Sequence, residues 1–237
     1  MSGTLPHWKN RSRLSFGNTL EERKRLLIIT QDGESSKAYF EAWRQRLAKG
    51  AVAIEVCASP QAPAQLVAAV PGIRKHAERK AGHGFDEVWV LFDRDDFPDF
   101  DAAVYALRRM CTEGVFEAWS NECFELWYCL HHQSLEPDCP LTRAQLFEKC
   151  TRFLNVRQTY GETSYTHLKG KRGETLHHAM ANSPAETIRS AIARATHLEQ
   201  ETPKSNGGPN AQPSRLNPFT KVHKLVQSLM AQSPEFQ

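Results

Sequence analysis

Residues 88–92, Val-Trp-Val-Leu-Phe, form an apolar run that leads directly into Asp93-Arg94-Asp95-Asp96. A run of β-branched, aromatic and leucine residues without polar alternation is typical of a strand covered on both faces in a parallel sheet. Ligands of open α/β sheets bind in the crevice outside the carboxyl ends of the strands. We therefore expect the acids that follow this run to lie where such a fold carries out its chemistry.

Asp93 and Asp95 are two residues apart and can converge on one hard cation, which prefers carboxylate oxygen. Taken alone, an Asp-x-Asp pattern is more often a solvated acidic turn. The choice between a metal site and an acidic turn depends on what the other strands of the sheet bring to the same edge.

The segments around this run alternate between strand and helix patterns. Strands are predicted at residues 26–29, 51–57 and 115–119, and residues 35–50, 62–79 and 102–110 have helical periodicity, with a break expected near Pro71. This alternation predicts an α/β fold with a parallel-stranded, doubly wound sheet flanked by helices.

Beyond residue 120 the pattern becomes mostly helical. Helices are predicted at residues 123–132, 142–154, 174–199 and 217–230, the last from an Asn-Pro start signal. We divide the chain into a flexible N-terminal arm (1–22), an α/β core (23–135) and a helical C-terminal extension (136–237). Residues 201–217 are rich in Pro, Gly, Ser and Asn, so we expect them to be too weakly apolar to pack and to form a mobile loop.

Composition excludes several classes of protein. The formal net charge of +3 over 237 residues does not identify a nucleic-acid-binding protein, and the local basic clusters are more typical of solvated surface than of phosphate binding. The six cysteines are scattered without a Cys-x-x-Cys pair, which favours reduced thiols in a cytoplasmic protein over disulfides or structural zinc. No apolar stretch approaches the roughly 18 residues of a membrane span, so we expect no membrane association.

Polar residues follow three of the predicted strands. They are Asp32 and Glu34 after the first strand, Asp93 and Asp95 after the third, and Asn121 with Glu125 close behind after the fourth. An acid after the first strand combined with Asp-x-Asp after a later one resembles the Toprim catalytic domain of topoisomerases, primases and OLD nucleases. That resemblance implies a glutamate that acts in acid/base chemistry and two aspartates that hold Mg²⁺.

A closer resemblance, to the RloB family of the AbiLii type, rests on four segments. They read IITQDGESSKAYFEA, VLFDRDDFPDF, WSNECFELWYCLHH and NPFTKVHKLVQSL, and they span the chain from about residue 26 to 230. The paired SNxxFExW and FDRDD patterns are its most specific part.

The resemblance implies roles for individual residues around a Mg²⁺ (or Mn²⁺) ion. Asp93 and Asp95, with Glu34, would hold the metal, and Asn121 and Glu125 would form a third wall that contacts the substrate. A structural role for Glu125, capping backbone amides, is as well supported by the sequence.

The loop after the first strand departs from the family pattern. Gln31 stands where many relatives have a glutamate, and a neutral amide cannot act as a base. Either Asp32 or Glu34 takes over that role or the activity is weakened. We favour the first interpretation because both acids lie within three residues of Gln31.

A polar, basic segment at residues 160–173 supplies the remaining candidates. Lys169 would neutralise charge on a phosphate in the transition state, and Lys171 and Arg172 would bind the substrate. An exposed basic loop without a role in the site is equally consistent with this composition.

The function implied by the resemblance is a metal-dependent nuclease that hydrolyses phosphodiesters of RNA, with tRNA as one candidate, or of DNA. It would act as the effector of an abortive-infection system against phage, partnered by an ABC- or OLD-type ATPase, with self-association left open. The main alternative is a non-catalytic subunit that binds nucleic acid or phosphate and regulates that ATPase. A phosphotransfer enzyme of the haloacid-dehalogenase or receiver kind is less favoured, because those folds place the nucleophilic aspartate after an early strand.

Overall fold

Four parallel strands form the central sheet in the computed structural model of the protein, which describes residues 24–47, 52–157, 177 and 180–236. They are β1 (Lys24–Thr30), β2 (Val52–Ala58), β3 (Glu87–Leu91) and β4 (Val115–Glu117), in the spatial order β2-β1-β3-β4. Thr30 pairs with Ala58 on one side and with Leu91 on the other. The carboxyl ends of the three longest strands therefore meet at one edge of the sheet.

Helices connect the strands and make up most of the described residues after residue 121. The first three are α1 (Ser35–Leu47), α2 (Pro63–Ala81) and α3 (Phe100–Arg109), and the later ones are α4 (Glu125–Leu130), α5 (Arg143–Arg157), α6 (Ala185–Ser205) and α7 (Val222–Ala231). A small antiparallel ladder pairs β5 (Ser120–Asn121) with β6 (Phe219–Thr220).

Both faces of the sheet are covered, as the apolar runs predicted. Leu26 and Ile28 of β1 belong to a core that includes α1 and the later helices, whereas Leu27 and Ile29 pack with α2 and α3. All four side chains are fully buried. Alternate residues of a strand point to opposite faces, so this burial requires helices on both sides. The predicted α/β fold with a parallel, helix-flanked sheet is confirmed.

The larger of the two cores extends across residue 135 without interruption. Leu146 of α5, Leu198 of α6 and Leu225 of α7 belong to the same buried cluster as Leu26 and Trp43. The helical extension thus covers one face of the sheet. The division of the chain at residue 135 stays a prediction, as does the N-terminal arm, which lies outside the described residues.

The expected break in the second helix is wrong, because α2 continues through Pro71 to Ala81. A proline inside a helix costs about 3 kcal/mol or more. Leu66, Val67 and Val70 are buried on the same helix, and each such side chain contributes about 1.5–3 kcal/mol. Packing therefore outweighs the missing backbone hydrogen bond.

Two helix boundaries near the C-terminus also differ from the prediction. The helix predicted at residues 174–199 is interrupted, because residues 177, 180 and 181 are helical, residues 182–184 are not, and α6 begins at Ala185 and continues to Ser205. Pro184 disfavours helical backbone at the residue before it. The last helix begins at Val222, because residues 219–220 pair with β5 instead. Its predicted apolar stripe is buried, as expected.

The segment expected not to pack, residues 201–217, does pack in part. Its first five residues belong to α6, and Pro213 and Leu216 are buried. Ser214 is bound through its amide and its hydroxyl to the carboxylate of Asp101 on α3, at 2.7 Å each. Mobility of this loop stays a prediction.

Candidate functional site

Gln31 joins the loops that follow three neighbouring strands. Its side-chain oxygen accepts a hydrogen bond from the amide of Asp93 (3.0 Å), and its side-chain nitrogen donates to the carbonyl of Gln61 (3.1 Å). Its own amide donates to the carbonyl of Leu91 (2.8 Å). An amide can both accept and donate, whereas an ionised carboxylate can only accept, so glutamine suits this position better than the ionised glutamate expected there.

The acids that follow Gln31 lie at the start of α1. Oδ1 of Asp32 accepts hydrogen bonds from the amides of Glu34 (2.9 Å) and Ser36 (3.2 Å). A carboxylate in this position satisfies amides that the first turn of a helix leaves without partners. Glu34 itself is exposed to solvent. Their predicted roles as base and metal ligand stay predictions.

The three aspartates after β3 differ sharply in exposure. Asp93 is only 7% exposed and forms a parallel bridge with Ser120, which extends the sheet by one step. Asp95 has a left-handed backbone (φ 40°), and its side chain pairs with the guanidinium of Arg143. The side chain of Asp96 is fully exposed. Asp96 therefore points outward, and Asp93 and Asp95 remain the candidate ligands.

Asn121 is buried and connects this edge to the C-terminal part of the chain. Its side-chain nitrogen donates to the carbonyl of Ser214 (3.0 Å), the residue that Asp101 holds. The preceding residue, Ser120, accepts a hydrogen bond from the amide of Arg94 (2.9 Å). Asn121, from the predicted third wall, thus lies directly beside residues 93–96, which we call the aspartate loop. A contact of Asn121 with substrate stays a prediction.

A buried polar cluster lies behind the loop after β1. Oε1 of Glu125, which is fully buried, accepts a hydrogen bond from the hydroxyl of Ser35 (3.0 Å). One turn later, the hydroxyl of Tyr128 lies 2.5 Å from Nδ1 of His177 and 3.4 Å from the carbonyl of Ser35. Burial, reinforced by the negative charge of Glu125, raises the pKa of Tyr128 well above its usual value. Glu125 thus supports the first turn of α1 through a side-chain hydroxyl, while a substrate contact stays a prediction.

Two arginines bring positive charge to the aspartate loop. Arg94 binds the backbone carbonyl of Asp95, and Arg143 binds its carboxylate. Sequence reasoning missed Arg143, because nothing in the pattern of α5 distinguishes it from other surface arginines. The predicted basic residues Lys169, Lys171 and Arg172 lie outside the described residues.

The oxygen donors at this edge of the sheet suit Mg²⁺, which needs few protein ligands, better than a metal ion whose ligands all come from the protein. Within the described ranges, no group of three or more His, Cys, Asp or Glu side chains is placed to hold an ion. Mg²⁺ is commonly bound through one or two carboxylates, with waters and substrate phosphates completing its shell. Asp93 and Asp95 provide such a pair, so the residues fit this ion.

The comparison with known families agrees with this geometry. The model of the RloB-like protein family matches residues 26–229. The chain belongs to the RloB-like family. The matched range contains every loop of the described site and runs through β6 and most of α7. Membership thus applies to the sheet and to the helical extension together.

Other comparisons add no relatives to the family assignment. No curated protein and no solved structure matches the chain significantly. None of the helices in the described ranges combines the length and the apolar character that crossing a membrane requires.

Proposed function

We propose that this RloB-like protein is a Mg²⁺-dependent nuclease, with Mn²⁺ able to replace Mg²⁺. The observation that carries the proposal is that Asp93 and Asp95 both follow β3 at the carboxyl edge of a parallel sheet. Asp93 is nearly buried and Asp95 is held by an arginine, as expected for ligands kept in place before substrate arrives.

The roles of the chain's own residues follow from their positions and chemistry. When bound by Asp93 and Asp95, the ion would polarise the phosphodiester and help to ionise the attacking water. Gln31 cannot accept that proton, which leaves Asp32 or Glu34 as the base. Asn121 and Glu125 would shape the wall that the substrate meets, and Lys169, Lys171 and Arg172 would neutralise its phosphates.

The biological setting is proposed from the family resemblance. The protein would be the effector of an abortive-infection system against phage, kept inactive by an ABC- or OLD-type ATPase. Its substrate would be RNA, with tRNA a candidate, or DNA. A cytoplasmic location follows from these partners.

One observation favours a second function, the non-catalytic subunit. Every polar group of the Gln31 side chain is used to join strand ends, in the position where a catalytic acid was expected. A protein that only binds nucleic acid or phosphate and signals to the ATPase needs no base at this position.

Nuclease assays with matched acid variants test the proposal. The purified protein and its ATPase partner would be incubated with Mg²⁺ or Mn²⁺ and with tRNA, mRNA and duplex DNA, and cleavage followed on gels. We expect Asp93→Asn to reduce cleavage by about 100-fold or more, since even residues that only support metal ligands contribute 10–100-fold. The exposed Asp96 provides the control, and Asp96→Asn should cleave normally.

Two results would contradict a nuclease. One is a wild-type protein that cleaves none of these substrates with either metal, and the other is an Asp93→Asn variant as active as wild type. If such variants still bind nucleic acid tightly, the regulatory subunit becomes the better description.

A further inference from the structure

Arg143 is the first residue of α5, and the start of that helix is fixed by its neighbours. The amide of Thr142 donates to the side-chain oxygen of Gln145 (2.8 Å), and the amide of Gln145 donates back to the hydroxyl of Thr142 (3.3 Å). This reciprocal arrangement is a capping box, which fixes the direction in which a helix begins. The backbone from which Arg143 projects is therefore well defined.

A second set of contacts fixes the same turn relative to the sheet edge. Asn217 accepts a hydrogen bond from the amide of Leu141 and donates one to its carbonyl, each at 2.9 Å. Two residues later, Phe219 pairs with Asn121 beside the aspartate loop. Asn217 thus connects the turn before Arg143 to the strand that borders the candidate site.

The side chain of Arg143 reaches from this turn to the carboxylate of Asp95. The two side chains are 41% and 23% exposed, whereas the two contacting atoms, Oδ1 of Asp95 and one Nη of Arg143, are enclosed by protein. Asp95 itself has a left-handed backbone, which non-glycine residues rarely adopt and which is common at functional sites.

The chemistry of the pair points to an exchange of partners. A guanidinium bound to a carboxylate oxygen competes with a divalent cation for that oxygen, and a cation that takes the oxygen repels the arginine. A guanidinium released in this way lies next to the metal position, where a substrate phosphate would bind. Its planar fork matches phosphate oxygens in two parallel hydrogen bonds.

We propose that Arg143 is a substrate-phosphate-binding residue that holds Asp95 until a divalent cation takes over that carboxylate. The inference rests on the proposed function for the assignment of Asp93 and Asp95 to a cation. Asn217 acts as a positioning residue, because it fixes the turn from which Arg143 extends.

The first measurement is cation binding without nucleic acid. Calorimetric titration with Mn²⁺ should give a tighter dissociation constant for Arg143→Ala than for wild type. We expect a change of about fivefold, the factor that one opposing charge at contact distance produces in water. Arg143→Lys keeps the charge and should stay close to wild type.

The second measurement is nucleic-acid binding in Ca²⁺, a divalent cation that carboxylates also bind, with gels used to check that the nucleic acid stays intact. A labelled single-stranded RNA of mixed sequence and a DNA duplex of the same sequence would be titrated at several salt concentrations. Loss of one phosphate contact should reduce the slope of log affinity against log salt by about 0.7 for the single strand or about 0.9 for the duplex. Arg143→Ala should show this loss and Arg143→Lys should retain the wild-type slope.

Arg152→Ala is the matched control for both measurements. Arg152 lies on the same helix, is largely exposed and pairs with Glu148. Its removal should change neither the Mn²⁺ affinity nor the salt slope. Circular dichroism of each variant checks that the fold is retained.

The proposal requires both changes in Arg143→Ala, and the absence of either one overturns it. Its failure differs from that of the proposed function. If the wild-type protein cleaves nucleic acid and Arg143→Ala changes neither measurement, only the role of Arg143 is wrong. If both measurements change and no nucleic acid is cleaved, only the nuclease activity is wrong. A wild-type protein that binds neither Mn²⁺ nor nucleic acid contradicts both.

Discussion

The loops after β1 (residues 31–34) and after β3 (residues 93–96) occupy equivalent positions at the sheet edge but use their polar side chains differently. In the first, the side chains of Gln31 and Asp32 bind backbone amides and a carbonyl. In the second, Asp95 binds the side chain of an arginine and Asp96 points into solvent. The first loop uses its polar side chains to bind backbone groups, whereas Asp95 and Asp96 of the second loop contact an arginine side chain and solvent.

This difference shows why an acid that follows a parallel strand is not by itself a ligand. Whether its oxygens can bind a metal ion depends on how many hydrogen bonds they already accept from backbone amides of the next helix. Substitutions in the first loop should therefore reduce stability, and substitutions in the second should reduce ligand binding. Four experiments test that division.

The largest loss of stability is expected behind the first loop, at Glu125. Glu125→Ala removes the acceptor of the buried Ser35 hydroxyl and leaves a cavity, so the free energy of unfolding should fall by about 3 kcal/mol. Urea denaturation followed by circular dichroism measures it. Glu125→Gln keeps an acceptor and should lose about 1 kcal/mol. Equal losses in the two variants would mean that the hydrogen bond to Ser35 is unimportant.

Asp32 should contribute to stability through the N-terminus of α1. Asp32→Ala removes the cap and should lower the free energy of unfolding by about 1 kcal/mol, with unchanged Mn²⁺ affinity. Thermal denaturation should show a decrease in Tm of about 2–4 °C. Asp96→Ala, at an exposed acid, serves as the control and should leave Tm unchanged. A large loss of Mn²⁺ affinity in Asp32→Ala would place this acid at the metal instead.

Gln31→Glu should give the first loop a carboxylate that can bind the cation, at the cost of a hydrogen bond that supports the sheet edge. The new carboxylate still accepts from the amide of Asp93 but cannot donate to the carbonyl of Gln61, so stability should fall by about 0.5–1 kcal/mol at neutral pH. Protonation of that carboxyl restores a donor, so the cost should shrink as the pH falls towards about 4.3, the ordinary pKa of Glu, and be absent below it. Calorimetry should show tighter Mn²⁺ binding. Weaker binding would mean that the loop does not face the cation.

The smallest effect on stability is expected at Asp95. Asn also tolerates the left-handed backbone, so Asp95→Asn should change the free energy of unfolding by less than about 0.5 kcal/mol. Mn²⁺ affinity should nevertheless fall by about tenfold or more. If the variant loses stability but keeps its Mn²⁺ affinity, the second loop contributes to stability as the first one does, and the division between them is wrong.

Local patterns predicted the sheet and the order of its strand-end acids. Strand and helix periodicities depend on neighbouring residues, so β1, β3 and the loops that follow them can be identified in the sequence. The role of Gln31 could not, because it depends on Gln61 and Asp93, which only the parallel pairing of three strands brings together. Arg143 was missed for the same reason, since a helix pattern does not indicate which acid its first residue meets.

The hydrogen bonds from Asn121 to Ser214 and from Asn217 to Leu141 join residues that are 93 and 76 positions apart in the chain. During synthesis, the sheet and its acids emerge from the ribosome long before the segment that completes their surroundings. Because domains fold largely as units while the chain is made, the edge of the sheet can reach its final arrangement only after residues 214–217 have been made. A nascent chain would thus carry the aspartates without the partners that hold Asn121 and Arg143 in place until that segment has emerged.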